Sequence, residues 1–332
     1  MPDTRFDVLG IGNAIVDIIA ESTDAYITSH GLDKGHMRLV DPEEQARIYA
    51  GVGPALETSG GSAANTIVGV ASFGGRGAYF GKVADDSFGR IFRHDIGALG
   101  ITFESKSVAT GEPPTASSLI LVTPDGERTM NTHLGACVLL DEADVDPVIV
   151  AASRITYMEG YLYDRPAAKR AFRLAAKLAH AAGRKVALTL SDGFCVDRHR
   201  AEFLDLIKGS VDIVLANTVE ITSLYQTTDF DEACRRIAAD APLAAVTRGA
   251  QGSVIIRAAE RIEIPVEPVA RVVDATGAGD LYASGFLIGQ AYGATLATCG
   301  KLASLAAAEV IGHIGPRPAV RLQALAKGLL PV

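Results

Sequence analysis

The chain is 332 residues long, 48% apolar and 21% charged, with a formal net charge of −8 and only 6% aromatic residues. That composition suits a globular protein with a sizeable core, and the absence of any basic block argues against nucleic acid as a partner. Four scattered cysteines without a Cys-x-x-Cys pair, seven histidines without zinc-ligand spacing and no membrane-length apolar stretch exclude a disulfide framework, a structural zinc and a membrane span, so a soluble cytoplasmic protein is expected.

In chain order, residues 6–11 read as a buried strand. It runs into Gly10-Ile11-Gly12-Asn13-Ala14-Ile15-Val16-Asp17, which fails as a dinucleotide fingerprint because Ile15 stands where the third glycine belongs. Asn13 and Asp17 lie four apart on extended chain and are expected on one face, where an amide and a carboxylate suit adjacent sugar hydroxyls. Gly60-Gly61-Ser62-Ala63-Ala64-Asn65 then opens a helix over 63–73. Either its glycines let a ligand approach the backbone, with Asn65 one turn in to bond a hydroxyl, or the stretch is a plain loop with Ser62 as a polar cap. A strand over 78–83 follows; its Gly81-Lys82 is not a P-loop, since Arg76 replaces the leading glycine and Val83 the Ser/Thr. Residues from about 17–40 and 101–134 break the strand–helix rhythm, and within the second piece 117–122 and the turn Thr123-Pro124-Asp125-Gly126 read as a hairpin. Both are expected to form a small β lid on a single domain spanning 1–332.

Further strands are expected at 155–158, 186–190, 213–216, 244–247 and 253–257. A helix over 166–182 is marked by Ala171, Leu174, Ala175 and Leu178 on one face, Pro166 at its start and Gly183 past its end. Such alternation implies an α/β fold with a parallel sheet covered on both faces. Asn217-Thr218-Val219-Glu220 opens a short helix. Its amide and carboxylate suit either a capping box or water-mediated magnesium, and the two readings are compatible. Thr247-Arg248-Gly249-Ala250-Gln251-Gly252 is either a plain hairpin turn or a turn lining a nucleotide, with Arg248 meeting phosphate. Last comes Val273-Asp274-Ala275-Thr276-Gly277-Ala278-Gly279-Asp280, small residues between two carboxylates, feeding a helix from Leu281. A helix N-terminus of this kind offers free N–H groups to an anion, and the aspartate beside it can take a proton from a hydroxyl.

Taken in this order, with Gly81-Lys82-Val83-Ala84-Asp85-Asp86-Ser87-Phe88-Gly89 added, these features resemble the ribokinase-like (PfkB) carbohydrate kinase family, and within it the adenosine kinase branch. The resemblance implies a three-layer α/β/α sandwich with a mostly parallel central sheet and a small β lid. It implies an ATP-dependent kinase using Mg²⁺, with Asp280 as general base and Gly277, Ala278 and Gly279 as an anion hole. Asn13, Asp17, Gly61, Ser62 and Asn65 would hold the sugar moiety, and Arg128 of the lid would reach the transferring phosphate. Asn217 and Glu220 would organise magnesium, and Thr247, Gly249, Gly252 and Thr276 would line the nucleotide. A monovalent cation such as K⁺ would lie by the loop that starts at Asp274, opposite 311–315. Ser62 and Ala63 replace the Lys-Gly of the ribokinase branch, and Asn13 replaces the Glu of many sugar kinases. Both departures lean towards phosphorylation of the 5′-hydroxyl of adenosine, although the lid stretch 129–134 is mixed in polarity where a base-covering surface should be apolar. A sugar kinase for ribose, fructose or a related ketose and a catalytically silent nucleotide sensor are the alternatives. The edges of the lid fit a monomer or a homodimer.

Overall fold

In a computed structural model of the chain, residues 4–109 and 113–330 are described, so 110–112 of the expected lid segment lie outside them. The first strand, β1 (Phe6–Ile11), shows how the core divides. Leu9 and Ile11 enter one buried cluster and Val8 another, because successive strand side chains face opposite sides. After three intervening residues the chain enters β2 (Ile15–Glu21), in a different sheet, where β3 (Met37–Leu39) and β4 (Ala55–Gly60) follow. Asn13 lies in that crossing and Asp17 on β2, so they do not share one strand face as the spacing suggested.

The helix Ser62–Ser72 returns the chain to β5 (Gly77–Phe80), parallel to β1. The extended run expected to reach residue 83 stops at Phe80, since its partner β1 ends at Ile11. The hairpin of β6 (Ala116–Val122) and β7 (Arg128–His133) joins the second sheet, whose order is β3-β7-β6-β2-β4. The remaining strands are β8 (Ser153–Glu159), β9 (Lys185–Thr189), β10 (Ile213–Asn217), β11 (Leu243–Thr247), β12 (Ser253–Arg257) and β13 (Glu260–Ile264). The main sheet runs β13-β12-β11-β10-β9-β8-β1-β5 and is parallel except across β12 and β13. Helices Pro166–Ala181, Gly193–Ser210 and Phe230–Asp240 bury one face. Helices Ser62–Ser72, Ala278–Ala291 and Leu296–Val310 bury the other. The three-layer α/β/α arrangement with a mostly parallel sheet is thus formed. Among the described residues no helix is long and apolar enough to cross a membrane.

The Asp86 of the Gly81–Gly89 stretch has a structural task. Its carboxylate caps the helix Ser87–Ala98 by accepting from the Gly89 N–H at 2.8 Å. It also accepts from the N–H and hydroxyl of Thr115, at 2.8 and 2.7 Å, just before β6. Burial pushes this carboxyl up, but the bonds from Thr115 and Gly89 outweigh it and hold it below the ordinary 3.8. Asp86→Ala is therefore expected to lower unfolding free energy by about 1–3 kcal/mol in urea titration at neutral pH. The difference should be full above the ordinary carboxylate value of 3.8 and shrink as the pH falls through the lower folded-state value. Equal urea midpoints at neutral pH would contradict it.

Candidate active site

Side by side, β8, β9, β10 and β11 present Glu159, Thr189, Asn217 and Thr247 at their carboxyl ends. This is the end of an open α/β sheet where a crevice forms. Thr189, Asn217 and Thr247 line a cavity of about 400 Å³ together with Ser62, Asn65, Met130, Tyr161, Glu220 and Asp280.

The loop in front of helix Ala278–Ala291 depends on Gly277. Its φ is +80°, and a Cβ there would stand 2.6 Å from the Cα of Pro316. Asp274 ties the loop: its carboxylate accepts from the Thr276 N–H at 3.0 Å and the Gly315 N–H at 2.9 Å. Arg128, reaching across from β7, pairs with it at 2.6 Å, and both side chains are only 7% exposed. Of the three amides expected to form an anion hole, one already has an acceptor within the turn. The Ala278 N–H donates to the Ala275 carbonyl at 3.2 Å, whereas those of Gly277, Gly279 and Asp280 find no acceptor among the described residues. The free donors are therefore 277, 279 and 280, because the turn itself takes the amide between them.

Asp280 accepts from the Ser62 hydroxyl at 2.6 Å on one oxygen and from the Asn65 side-chain amide at 3.1 Å on the other. Ser62 and Asn65 are three residues apart on one helix, so both reach the same way. Burial pushes the Asp280 carboxyl above its ordinary value, and these two bonds pull it part of the way back. Before that helix, Gly61 has φ +97°, and a side chain there would collide with the Asn13 carbonyl. Asn13 itself turns to Glu159, donating its amide at 2.8 Å and its N–H at 3.3 Å. Glu159 also accepts from the Ala63 N–H at 2.8 Å, so this buried carboxylate clamps the β1–β2 crossing to the start of the helix. Burial raises its pKa to about 7. Sequence reasoning missed Glu159; the signal was a lone charge ending an apolar strand, in Tyr157-Met158-Glu159-Gly160.

Burial also raises Asp17 to about 7, against the pull of Arg317 and Arg128 and with the push of Asp280. Arg317, the second residue sequence reasoning missed, donates to the Asn65 side-chain carbonyl at 3.3 Å and to the Ser59 hydroxyl at 2.8 Å. It sits between two prolines in irregular chain, where no periodicity announces burial. The mixed polarity of the lid stretch resolves by alternation along β7. Met130 lines the cavity and Arg128, two residues back, reaches Asp274. The intervening Thr129 accepts from the Gly35 N–H, and Asn131 accepts from Arg38.

A second cavity of about 400 Å³ is lined by Val266, Val269, Val272, Ala308 and Ile311, with Thr247, Gly249 and Gly252 along it. It shares Thr247, Gly279 and Tyr282 with the first, so Gly279 stands at the junction. Asn217 and Glu220 form a full capping box, each side chain accepting the other's N–H at 2.9 and 3.0 Å. Burial raises Glu220 to about 7. Arg248 pairs with Glu263 at 2.9 Å on the sheet edge. Among the described residues no group of three or more His, Cys, Asp or Glu could hold a metal ion.

Two cavities meeting at a helix N-terminus, with a carboxylate one residue on, suit phosphoryl transfer to an alcohol. Residues 52–321 match the sequence profile described as pfkB family carbohydrate kinase. The crystal structure of adenosine kinase from Sinorhizobium meliloti is 55% identical, with a TM-score of 0.92 over 98% of this chain and 99% of that one. The structure of a probable sugar kinase protein from Rhizobium etli CFN 42 is 53% identical, with a TM-score of 0.93 over 98% and 100%. Adenosine kinase of Saccharomyces cerevisiae is 25% identical over 92% of this chain and 95% of its own length. The chain belongs to the pfkB family of carbohydrate kinases and is an ATP-dependent phosphotransferase with a hydroxyl acceptor. Gly277→Ala should cost about 1–3 kcal/mol of stability, and turnover should fall by at least about tenfold as the loop amides shift. A variant with wild-type kcat and unfolding midpoint would contradict this account of the loop.

Proposed function

We propose that this chain transfers the terminal phosphoryl group of ATP to the 5′-hydroxyl of adenosine, giving AMP. The observation that carries the reading is Asp280: a desolvated carboxylate fixed by Ser62 and Asn65, lining one cavity and adjacent in sequence to the glycine where a second one joins it. Asp280 accepts the proton of the attacking hydroxyl. In a loose transition state that proton leaves late, so the two bonds that aim the carboxylate count for more than its basicity. The amides of Gly277, Gly279 and Asp280, with the helix dipole behind them, receive the charge of the transferred group. Arg128 adds a cation from the lid side. Asp17 and Asn65 bind sugar hydroxyls, Gly61 and Ser62 bring the backbone close, and Asn13 keeps the turn in place through Glu159. The lid shields the reacting atoms from water, which otherwise competes as acceptor.

The apolar cavity suits the purine of ATP, with Thr247, Gly249, Gly252 and Thr276 along the path to the phosphates. Magnesium neutralises phosphate charge when it arrives with ATP. Glu220 and Asn217 already bond one another, so they would hold it through water, as its hydration habit favours. A monovalent cation by the loop at 274–277 would be held by backbone carbonyls, since Asp274 already serves Thr276, Gly315 and Arg128. Four buried, unpaired cysteines fit a reducing cytoplasm.

The choice of a nucleoside rests on the acceptor cavity and on the similar proteins. Met130, Tyr157 and Tyr161 give that cavity an apolar and aromatic wall that a base would cover and a free sugar would leave unfilled. The Sinorhizobium meliloti and yeast proteins described above are adenosine kinases. A free sugar is the second reading, favoured by the Rhizobium etli protein, a probable sugar kinase.

Asp280→Asn is expected to fold normally and lose about 10²–10⁴-fold in kcat; near-normal turnover by a folded variant would overturn the assignment. With Mg-ATP and a panel of adenosine, other nucleosides, ribose and fructose, ADP release should be fastest with adenosine, and a faster rate with a free sugar would transfer the proposal to that class. Asp17, raised to about 7, must be ionised to accept two hydroxyls, so kcat/KM for adenosine should fall as the pH drops below that value and level off above it. A profile flat down to about pH 5.5 would contradict this role for Asp17.

A further inference from the structure

We infer that Arg317 is a positioning residue for the acceptor site, acting on Asp280 through the side-chain amide of Asn65. The inference rests on the reading of Asp280 as general base. Arg317 follows the helix Leu296–Val310 and meets two distant elements. Its Nε donates to Oδ1 of Asn65 at 3.3 Å, and its Nη1 donates to Oγ of Ser59 on β4 at 2.8 Å. Ser59 is anchored in turn, its N–H donating to Asp95 at 3.0 Å. From its other end Asn65 donates Nδ2 to Oδ2 of Asp280 at 3.1 Å.

A primary amide has one accepting end and one donating end. Turned over, Asn65 would press its carbonyl oxygen on the Asp280 carboxylate and its NH₂ on a guanidinium, which has donors only. Both contacts would become repulsive. Arg317 therefore fixes which end of Asn65 meets Asp280, and with it the direction of one of the two bonds that aim the base.

The cost of placing Arg317 here is visible. Its Nη2 is buried with no acceptor, and burial lowers its pKa against the pull of Asp17 and Asp95. An unmet buried donor is unfavourable, and a residue chosen only to fill space would not carry one. In return, the same charge opposes the burial of Asp17, the carboxylate placed on the sugar hydroxyls. Two acceptor-site residues thus depend on a group that touches no reacting atom.

The test uses the full chain with Arg317→Met and Arg317→Lys, each alone and combined with Asn65→Ala, assayed with adenosine and Mg-ATP. Arg317→Met should lower kcat/KM for adenosine about 10- to 100-fold, the range for a hydrogen bond to a charged group. The KM for ATP should stay within about threefold, and Arg317→Lys should recover part of the loss. In the Asn65→Ala background Arg317→Met should cost at least about threefold less than in the wild type, because the group it orients is gone and only its effect on Asp17 remains. Unchanged adenosine kinetics in Arg317→Met, or equal losses in both backgrounds, would overturn the inference. So would a loss in both Arg317 variants that follows a fallen melting temperature and raises the KM for ATP equally. Asp280→Asn assayed alongside separates the two readings. If it stays active, the role of Asp280 fails; if it is inactive while Arg317→Met matches the wild type, only the role of Arg317 fails.

Discussion

Hydrogen bonds from Ser62 and Asn65 to Asp280 join two helices whose contacting residues are 218 and 215 positions apart in the chain. Everything else in the site is arranged so that this contact can exist away from bulk water. The helix Ser62–Ser72 must start where β4 ends, which requires the left-handed Gly61. The helix Ala278–Ala291 must start beside it, which requires the left-handed Gly277 packed on Pro316. Side chains on rigid helices hold geometry better than side chains on loops, and phosphoryl transfer asks the protein mostly for geometry and charge.

The electrostatics follow from that burial. Asp280 lines the cleft, Asp17 and Glu159 are buried near enough to feel its charge, and desolvation raises the pKa of each. Hydrogen-bond donors and two arginines oppose that rise. Glu159 is held by the Asn13 amide and two backbone N–H groups, Asp280 by a hydroxyl and an amide, and Asp17 by the fields of Arg317 and Arg128. The site can therefore present carboxylates in a dry setting without surrendering all of them to protonation at neutral pH. Arg128 shows the same economy: it pairs with Asp274 at the base of the loop that precedes the helix Ala278–Ala291, so β7 and that loop are joined by one buried ion pair.

Much of this was legible in the sequence. The strand–helix alternation gave the layered fold, and the loop ending at Asp280 stood out because small residues between carboxylates before a helix have few other uses. Asn65 and Ser62 were also found, as polar positions in the first turn after paired glycines. What could not be read were relations between distant segments. Asn13 and Asp17 seemed to share a strand because the chain's change of sheet leaves no mark in a run of apolar residues. The mixed polarity of 129–134 made sense only once the direction of β7 put Met130 on the cavity. Glu159 left only a lone charge at the end of an apolar strand and Arg317 no mark at all, because their roles come from burial against partners 96 and 252 residues away. The capping box at Asn217 and Glu220 was read correctly as a pair, since both its partners lie within one turn.

A crystal structure of the enzyme with adenosine and a non-hydrolysable ATP analogue tests the central claim most directly. The account predicts the 5′-oxygen within about 2.6–3.2 Å of the Asp280 carboxylate, with the terminal phosphate on the amides of Gly279 and Asp280. It also predicts the ribose hydroxyls on Asp17 and Asn65. An acceptor hydroxyl bound out of reach of Asp280, or a nucleotide whose phosphates avoid the 277–280 amides, would contradict it.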